Sequence, residues 1–276
     1  MESYFFIPAA NEAFVKNISR LSADYFVFDF EDSINISNID KAIALTSKIN
    51  ISDNFFARFY WNTHEPEFSS ASLKKILQLG FKNFFIPKFR TTEDLDTIYN
   101  LLKSTPSFNQ FKIVLLIENA QALCSVDNIL KIYQPFAVAF GSHDYCAETG
   151  MLHTADNIQW ARNYLLNFGK AASVRCIDVA SMNIKDKPAF KEECTDAFNK
   201  GFDGKVLIHP MQLEVFNNTK YYTDEELEVA LKVRDILKQK GGIANFSIAN
   251  IDGLVIEKPH LNRYLKILKM ANYDTV

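Results

Sequence analysis

A chain of 276 residues, 48% hydrophobic and 23% charged, has ample apolar sequence for one large α/β domain or two small ones, which excludes a disordered or solvating protein. A formal charge of −3 at pH 7 offers no basic stripe, so nucleic acid is not an expected partner. The longest apolar runs are strand-length, Met1-Glu2-Ser3 lacks the basic start of a secretion signal, and Cys124, Cys146, Cys176 and Cys194 show neither CxxC nor dense disulfide spacing; together these predict a cytoplasmic protein with reduced thiols and no membrane partner.

Strand-like runs alternate with helical segments along the chain. Ser3 to Ile7 is the first run, with a helix from about Asn11; Asp24 to Phe28 is the second, closing in Asp29-Phe30-Glu31-Asp32, and Lys41 to Lys48 reads as helix. Phe55 to Tyr60 carries Arg58 and precedes a helix near Ser69 to Leu79. Asn83 to Ile86 ends in Pro87-Lys88, and Thr91-Thr92-Glu93-Asp94 opens the next helix with a cap and an acidic first turn. Lys112 to Ile117 stops at Glu118, a helical segment runs through Ile132, and Pro135 to Phe140 ends in Gly141-Ser142-His143-Asp144. These two runs have no polar alternation, which suits strands buried on both faces of a parallel sheet. A helix centred on Trp160 to Leu166 leads to a seventh run, Arg175 to Asp178, and the eighth, Lys205 to Ile208, closes at His209-Pro210. Eight β-then-α repeats predict a (β/α)₈ TIM barrel, and no GxGxxG or GxxxxGK[ST] supports an open dinucleotide- or nucleoside-triphosphate-binding sheet. Beyond it, a capping box at Thr223-Asp224-Glu225-Glu226 opens a helix to about Lys240, Gly241-Gly242 stops it, Asn245 to Glu257 alternates like a hairpin, and Pro259 to Met270 reads as a last helix. The domain organisation expected is one barrel domain over 1–276, with 219–276 a C-terminal helical and hairpin extension.

Ligands bind beyond the carboxyl ends of barrel strands. In this register those ends contribute Glu31, Asp32, Arg58, Lys88, Glu118, Asp144, Asp178 and His209. Ionised groups so near an apolar core must pair with one another or hold a metal. Glu118 and Asp144, with positions left for water or substrate, are the pair that suits Mg²⁺. His209 is read as a structural residue bonding a loop carbonyl in preference to a general base. His143 is expected to point away from a metal at Asp144, and His64 and His153 show no partner pattern. Tyr60, Trp61 and Phe89 flank Arg58 and Lys88 and are candidates for the pocket wall.

The same residues carry a resemblance. Tyr4-Phe5-Phe6-Ile7-Pro8, Asp29-Phe30-Glu31-Asp32-Ser33-Ile34, Ala57-Arg58-Phe59, Ile86-Pro87-Lys88, Leu116-Ile117-Glu118-Asn119, Phe140-Gly141-Ser142-His143-Asp144 and Gly201-Phe202-Asp203-Gly204-Lys205-Val206-Leu207-Ile208-His209-Pro210-Met211-Gln212 follow in order the motifs of the citrate lyase β-subunit-like proteins of the HpcH/HpaI aldolase family, in the phosphoenolpyruvate/pyruvate barrel superfamily. The resemblance implies a Mg²⁺-dependent lyase or aldolase that makes or breaks a carbon–carbon bond next to a carbonyl through a metal-stabilised enolate, acting on a small 2-oxo acid or 3-hydroxy acid derivative. It implies Glu118 and Asp144 as metal ligands and Arg58 as the group that stabilises the enolate oxygen. Asp29, Glu31 and Asp32 would orient metal-bound waters and Arg58, and Glu31, Asp32, Gly141 and Ser142 would contact substrate. Lys88 admits two roles, contact with a carboxylate or closure of the rim.

The chain also departs from the family pattern. Pro-Gly-x-Arg-Pro after the first strand, whose Arg is associated with coenzyme A phosphates, is Pro8-Ala9-Ala10-Asn11-Glu12 here, which weakens the case for a coenzyme A thioester as part of the substrate. Arg-x-Asn on the third strand becomes Arg58-Phe59-Tyr60, Glu-Thr becomes Glu118-Asn119, and the Met-Ile-Asp-x-Pro near the C-terminus, whose Asp reaches a neighbouring subunit's site as acid or base, becomes Val255-Ile256-Glu257-Lys258-Pro259. A catalytic Glu257 requires exchange between subunits, so a homo-oligomer is expected, a trimer or a multiple of it. The alternatives are a metal-binding relative without turnover that serves a biosynthetic or regulatory complex, and phosphoryl transfer on the same barrel.

Overall fold

The computed structural model describes residues 1–275. Eight parallel strands close into a barrel in the order β1-β2-β3-β4-β5-β6-β7-β8: β1 Glu2–Pro8, β2 Tyr25–Phe30, β3 Phe55–Phe59, β4 Asn83–Ile86, β5 Lys112–Ile117, β6 Ala137–Phe140, β7 Arg175–Asp178 and β8 Gly204–Leu207. Helices α1 Glu12–Lys16, α2 Ile39–Thr46, α3 Pro66–Gln78, α4 Thr92–Lys103, α5 Ala120–Cys124, α6 Val126–Tyr133, α7 Ser142–Thr149, α8 Ala155–Ala171, α9 Lys187–Lys200 and α10 Pro210–Asn218 fill the crossovers. Tyr4 on β1 pairs with Tyr25 on β2 and with Val206 on β8, which closes the ring.

The chain divides into two compact units, Met1–Asn217 and Asn218–Val276. In the first, inward residues of all eight strands form one core: Tyr4, Val27, Phe56, Phe85, Val114, Leu116, Ala137, Ala139, Ile177 and Val206. Tyr4, Phe56 and Phe85 make edge-on contacts there, with ring centroids 5.5–6.1 Å apart, and truncating such a ring costs about 3–5 kcal/mol. The second unit packs α11 Asp224–Lys240 and α12 Leu261–Met270 with an antiparallel hairpin, β9 Ile248–Ile251 and β10 Leu254–Glu257, around Val233, Leu237, Phe246, Ile251, Ile256 and Leu261.

Three local differences from the sequence reading have clear causes. The helix expected near Ser69 begins a turn earlier because Pro66 sits in its first turn, where its missing N–H would have no partner in any case. The segment after β5 is two helices, broken at Ser125, whose N–H bonds back to Gln121 and Ala122 while its C=O starts the next turn. Asp144 lies in the first turn of α7, two residues beyond its start, rather than at the end of β6 itself.

Candidate active site

At the carboxyl ends of β2 to β6 the strand termini converge on a cavity of about 700 Å³ lined by Glu31, Asp32, Lys88, Glu118 and Asp144, with Tyr60, Trp61, Asn62 and His64 on the β3 side and Arg90 and Glu148 on the other. Arg58, from β3, places its Nε and Nη2 on the two oxygens of Asp29 at 2.7 and 2.8 Å. Its remaining nitrogen, Nη1, lies 3.2 Å from both Asp32 and Glu31, and its guanidinium stands 5.2 Å above the Phe6 ring. Asp29 also accepts from the Glu31 and Ser33 N–H groups, so this buried carboxylate fixes both the Arg58 fork and the loop after β2. Although burial opposes ionisation, Arg58 holds the Asp29 carboxyl below its ordinary range.

Lys88 follows β4 in the left-handed region, φ 55°. This conformation turns its backbone N–H onto one oxygen of Glu118 and its ammonium toward Asp144 at 2.8 Å, with Asp32 and Glu31 at 3.6 and 3.7 Å. Glu118 directly follows β5 and is 3% exposed. A Cβ at residue 141 would collide with the Glu118 Cβ, so glycine is required for β6 to approach this closely. Asn119 caps α5 and anchors the Phe89 carbonyl at 2.8 Å. Two cations, Arg58 and Lys88, thus face five carboxylates, Asp29, Glu31, Asp32, Glu118 and Asp144. Both Glu31 oxygens and the Oε2 of Glu118 are buried without a hydrogen-bond partner. Burial, and then the neighbouring carboxylates, push the Glu31 carboxyl well above its usual range. Burial likewise lifts Glu118 to about 7, with Asp144 adding to it and Lys88 opposing it.

The geometry brings together Glu31, Asp32, Arg58, Lys88, Glu118 and Asp144. Gly141 and Ser142 join Arg58, Glu118 and Asp144 around an adjoining chamber of about 170 Å³. Glu257 lies on β10 of the second unit, exposed; its side chain accepts the His260 N–H, and its own N–H donates to His260 Nδ1 at 3.0 Å. Asp178 does not belong to the ring of mouth charges. Fully buried, it accepts from Arg162 Nε and Nη2 at 2.5 and 2.9 Å and from Lys205 Nζ at 3.0 Å, because the side chains at the end of β7 turn toward α8. His209 is a local residue of a different kind from that expected: its Nδ1 accepts the Met211 N–H at 3.1 Å. Tyr60 and Trp61 line the cavity, whereas Phe89 is wholly buried in the core. His153, which shows no partner in the sequence, bonds the Ser142 hydroxyl at 2.9 Å and stacks on His143 at 3.9 Å.

Sequence reasoning missed the Arg90–Glu148 pair on the rim, in which Glu148 also accepts the Ala120 N–H at 2.8 Å. The signal was present as a cation directly after Phe89 and a carboxylate one helical turn past Asp144, residues that share a helix face. Asn11 and Glu12, where a phosphate-binding cation was sought, serve α1 instead: Asn11 caps it and Glu12 pairs with Lys16 at 2.6 Å.

A hard divalent ion suits this oxygen-only set. Among the described residues no group of three or more His, Cys, Asp or Glu is disposed to hold a metal by itself, but Mg²⁺ keeps several waters and needs only one or two carboxylates. The buried, partnerless Oε2 of Glu118 and the uncompensated negative charge around it fit such an ion. No helix among the described residues is long and apolar enough to cross a membrane.

The citrate lyase β subunit of Leuconostoc mesenteroides subsp. cremoris is 25% identical over 285 positions, covering 97% of this chain and 92% of that protein. The (3S)-malyl-CoA thioesterase of Cereibacter sphaeroides strain ATCC 17029 is 25% identical, covering 94% and 90%. Among solved structures, Mycobacterium tuberculosis CitE in complex with magnesium, acetoacetate and coenzyme A shares the fold with a TM-score of 0.81 over 98% of both chains at 19% identity. Yersinia pestis RipC shares it with a TM-score of 0.66 at 22% identity, covering 82% of this chain and 97% of that one. The family model of HpcH/HpaI aldolase/citrate lyase matches residues 2–210, the span that holds all eight strands and the carboxylate-rich mouth; the chain belongs to this family, and membership supports carbon–carbon lyase or aldolase chemistry at a carbonyl as its general class.

Proposed function

We propose that the mouth is the active site of a Mg²⁺-dependent carbon–carbon lyase or aldolase acting on a small 2-oxo acid or 3-hydroxy acid. The observation that carries this reading is the excess of five carboxylates over two cations, with both Glu31 oxygens and the Oε2 of Glu118 buried and without a hydrogen bond. Glu118 and Asp144 would hold the ion. When bound, it supplies Lewis-acid stabilisation of the negative charge that develops on the carbonyl oxygen beside the breaking bond. Arg58 offers the same charge its Nη1 edge, and the Asp29 clamp fixes that edge in advance, so little reorganisation accompanies the reaction. Glu31 and Asp32 orient water and the guanidinium, while Gly141 and Ser142 form the wall against substrate. Lys88 binds the substrate carboxylate when its ammonium leaves Asp144.

Several features bear on partner and setting. Asn11 and Glu12 are occupied with α1, which favours a free acid over a coenzyme A thioester. Exposed Ile248, Leu254 and Val255 lie on the hairpin that carries Glu257; this supports a homo-oligomer, a trimer or a multiple of it, in which a neighbouring subunit provides Glu257 as acid or base. Four free cysteines, three of them buried, support a cytoplasmic setting. A second reading, metal binding without turnover, is favoured by the capture of the Glu257 carboxylate in a reciprocal cap with His260.

Calorimetric titration of Mg²⁺ into metal-free protein, alone and with pyruvate, oxaloacetate or acetyl-CoA, tests the proposal. Mg²⁺ binding that tightens with a 2-oxo acid and not with acetyl-CoA is expected. Absence of Mg²⁺ binding under all four conditions overturns the metal assignment, and binding without cleavage of any carbon–carbon bond selects the second reading.

A further inference from the structure

The chamber of about 170 Å³ beside Arg58, Glu118 and Asp144 also has an apolar wall, formed by Phe6, Leu116, Phe140, Val206 and Ile208. His143, Ala180 and Met182 line this chamber and also a second cavity of about 560 Å³ beside α8 and α9. Apart from the exposed Glu192, the charged groups that reach that second cavity are engaged with neighbouring protein groups. Arg162 is committed to Asp178 and Asp196, Lys205 to Asp178 and the Val179 carbonyl, and Glu193 to the Ser181 hydroxyl at 2.9 Å. A phosphate or carboxylate entering here would find no uncommitted cation, and its desolvation would go uncompensated. Beside the polar Thr154, Asn183 and Glu192, the cavity offers a ligand an aliphatic stretch: Ala155, Ile158, Val179 and Met182. Of the three shared residues, His143 is held by stacking on His153, whereas Met182 is 57% exposed and has a flexible thioether that can swing aside.

We infer that the two cavities form one substrate channel and that the substrate carries a straight aliphatic chain, its acid head at Arg58, Glu118 and Asp144 and its tail running past Met182 between α8 and α9. This rests on the reading of the mouth as a 2-oxo acid site and specifies the substrate class it takes. A methylene buried along such a wall tightens binding about threefold to fourfold.

The test is calorimetric titration of the full chain, in saturating Mg²⁺, with pyruvate, 2-oxobutanoate, 2-oxohexanoate and 2-oxooctanoate. Affinity is expected to climb along the series, with 2-oxooctanoate at least tenfold tighter than pyruvate. Affinity that is flat or falls with chain length, while pyruvate binds, overturns the channel and leaves the mouth reading intact. If no member binds, the mouth reading fails and the channel with it. Ala155→Phe, at an exposed position on the cavity wall, is expected to bring 2-oxooctanoate back to the affinity of pyruvate, and Met182→Asp to do the same by placing a charge at the junction. A chain-length gain that survives both variants puts the tail elsewhere and overturns the inference.

Discussion

Two buried ionic networks sit at strand ends of the same barrel, and they differ in balance. Around Asp178, Arg162 and Lys205 provide two cations to one fully buried carboxylate, Asp196 takes the free edge of Arg162, and none of these groups is among those left without a hydrogen bond. Around Glu118, two cations answer five carboxylates, and three buried oxygens make no hydrogen bond. A folded chain tolerates an unpaired buried charge only where something else compensates it. The first network is balanced, as a scaffold requires; the imbalance of the second is what the proposed cation and polar ligand would relieve.

The largest expected effect breaks the scaffold side. Arg162→Met leaves buried Asp178 with one of its two cations, Lys205, and should destabilise the protein by up to about 3–5 kcal/mol, read as a shift in the denaturation midpoint, with Mg²⁺ affinity of the surviving folded protein unchanged. An equal loss of Mg²⁺ binding would erase the distinction between the two networks. Glu118→Ala should do the reverse: Mg²⁺ affinity falls more than about a hundredfold, beyond the 10–100-fold typical for groups that merely support a ligand. The metal-free protein should keep or gain stability, because one carboxylate leaves a cluster of like charges. Asp144→Ala should follow it, and retained Mg²⁺ affinity in both variants would falsify the assignment.

How far these networks were legible in the sequence differs in the same way. Eight apolar runs ending in charged residues specify a closed parallel barrel because strands buried on both faces leave little choice of layer, and the runs at Asn83, Lys112 and Arg175 begin where the strands do. Glu118, Asp144, Arg58 and Lys88 could be gathered because each interrupts such a run or lies within four residues of its end. Asp178 looks identical in one dimension. Its partners, Arg162 in the middle of α8 and Lys205 inside β8, are 16 and 27 residues away, and only the register of the folded strands reveals that it is already compensated. His153 and Glu148 were missed for a related reason: their partners, Ser142 and Arg90, are supplied by the packing of loops, which periodicity does not encode.

Proton linkage separates the networks with a smaller effect. Glu118 is raised from an ordinary 4.5 to about 7, so between those values the folded state binds more protons than the unfolded one, and the metal-free protein loses stability as pH rises through that window. Glu31 is displaced in the same direction. Asp178 is held below its ordinary range by Lys205 and Arg162 despite full burial, so its contribution is present at neutral pH and is lost as pH falls into the acid range. Mg²⁺ requires the ionised carboxylates, and its affinity should weaken by up to about tenfold for each pH unit below 7. Thermal melts with and without Mg²⁺ should therefore diverge most at neutral pH and coincide in acid. Stabilisation by Mg²⁺ that does not depend on pH would remove Glu118 from the site.

The smallest effect concerns Lys88. Its ammonium, 2.8 Å from Asp144 and close to Asp32 and Glu31, stands where positive charge is wanted, and an incoming divalent ion must compete with it for Asp144. The Lys88 and Asp144 side chains are 30% and 43% exposed, so the pair is worth about 1 kcal/mol at most. Lys88→Met should therefore tighten Mg²⁺ by roughly fivefold while lowering the stability of the metal-free protein, since only Arg58 then faces the carboxylates. If Lys88 also holds the substrate carboxylate, the same variant should weaken pyruvate binding in saturating Mg²⁺, and the two opposite shifts are measurable in one pair of titrations. Unchanged Mg²⁺ affinity with weakened pyruvate binding would make Lys88 a substrate handle alone. Tighter Mg²⁺ with unchanged pyruvate binding would make it only a counter-charge that the metal displaces.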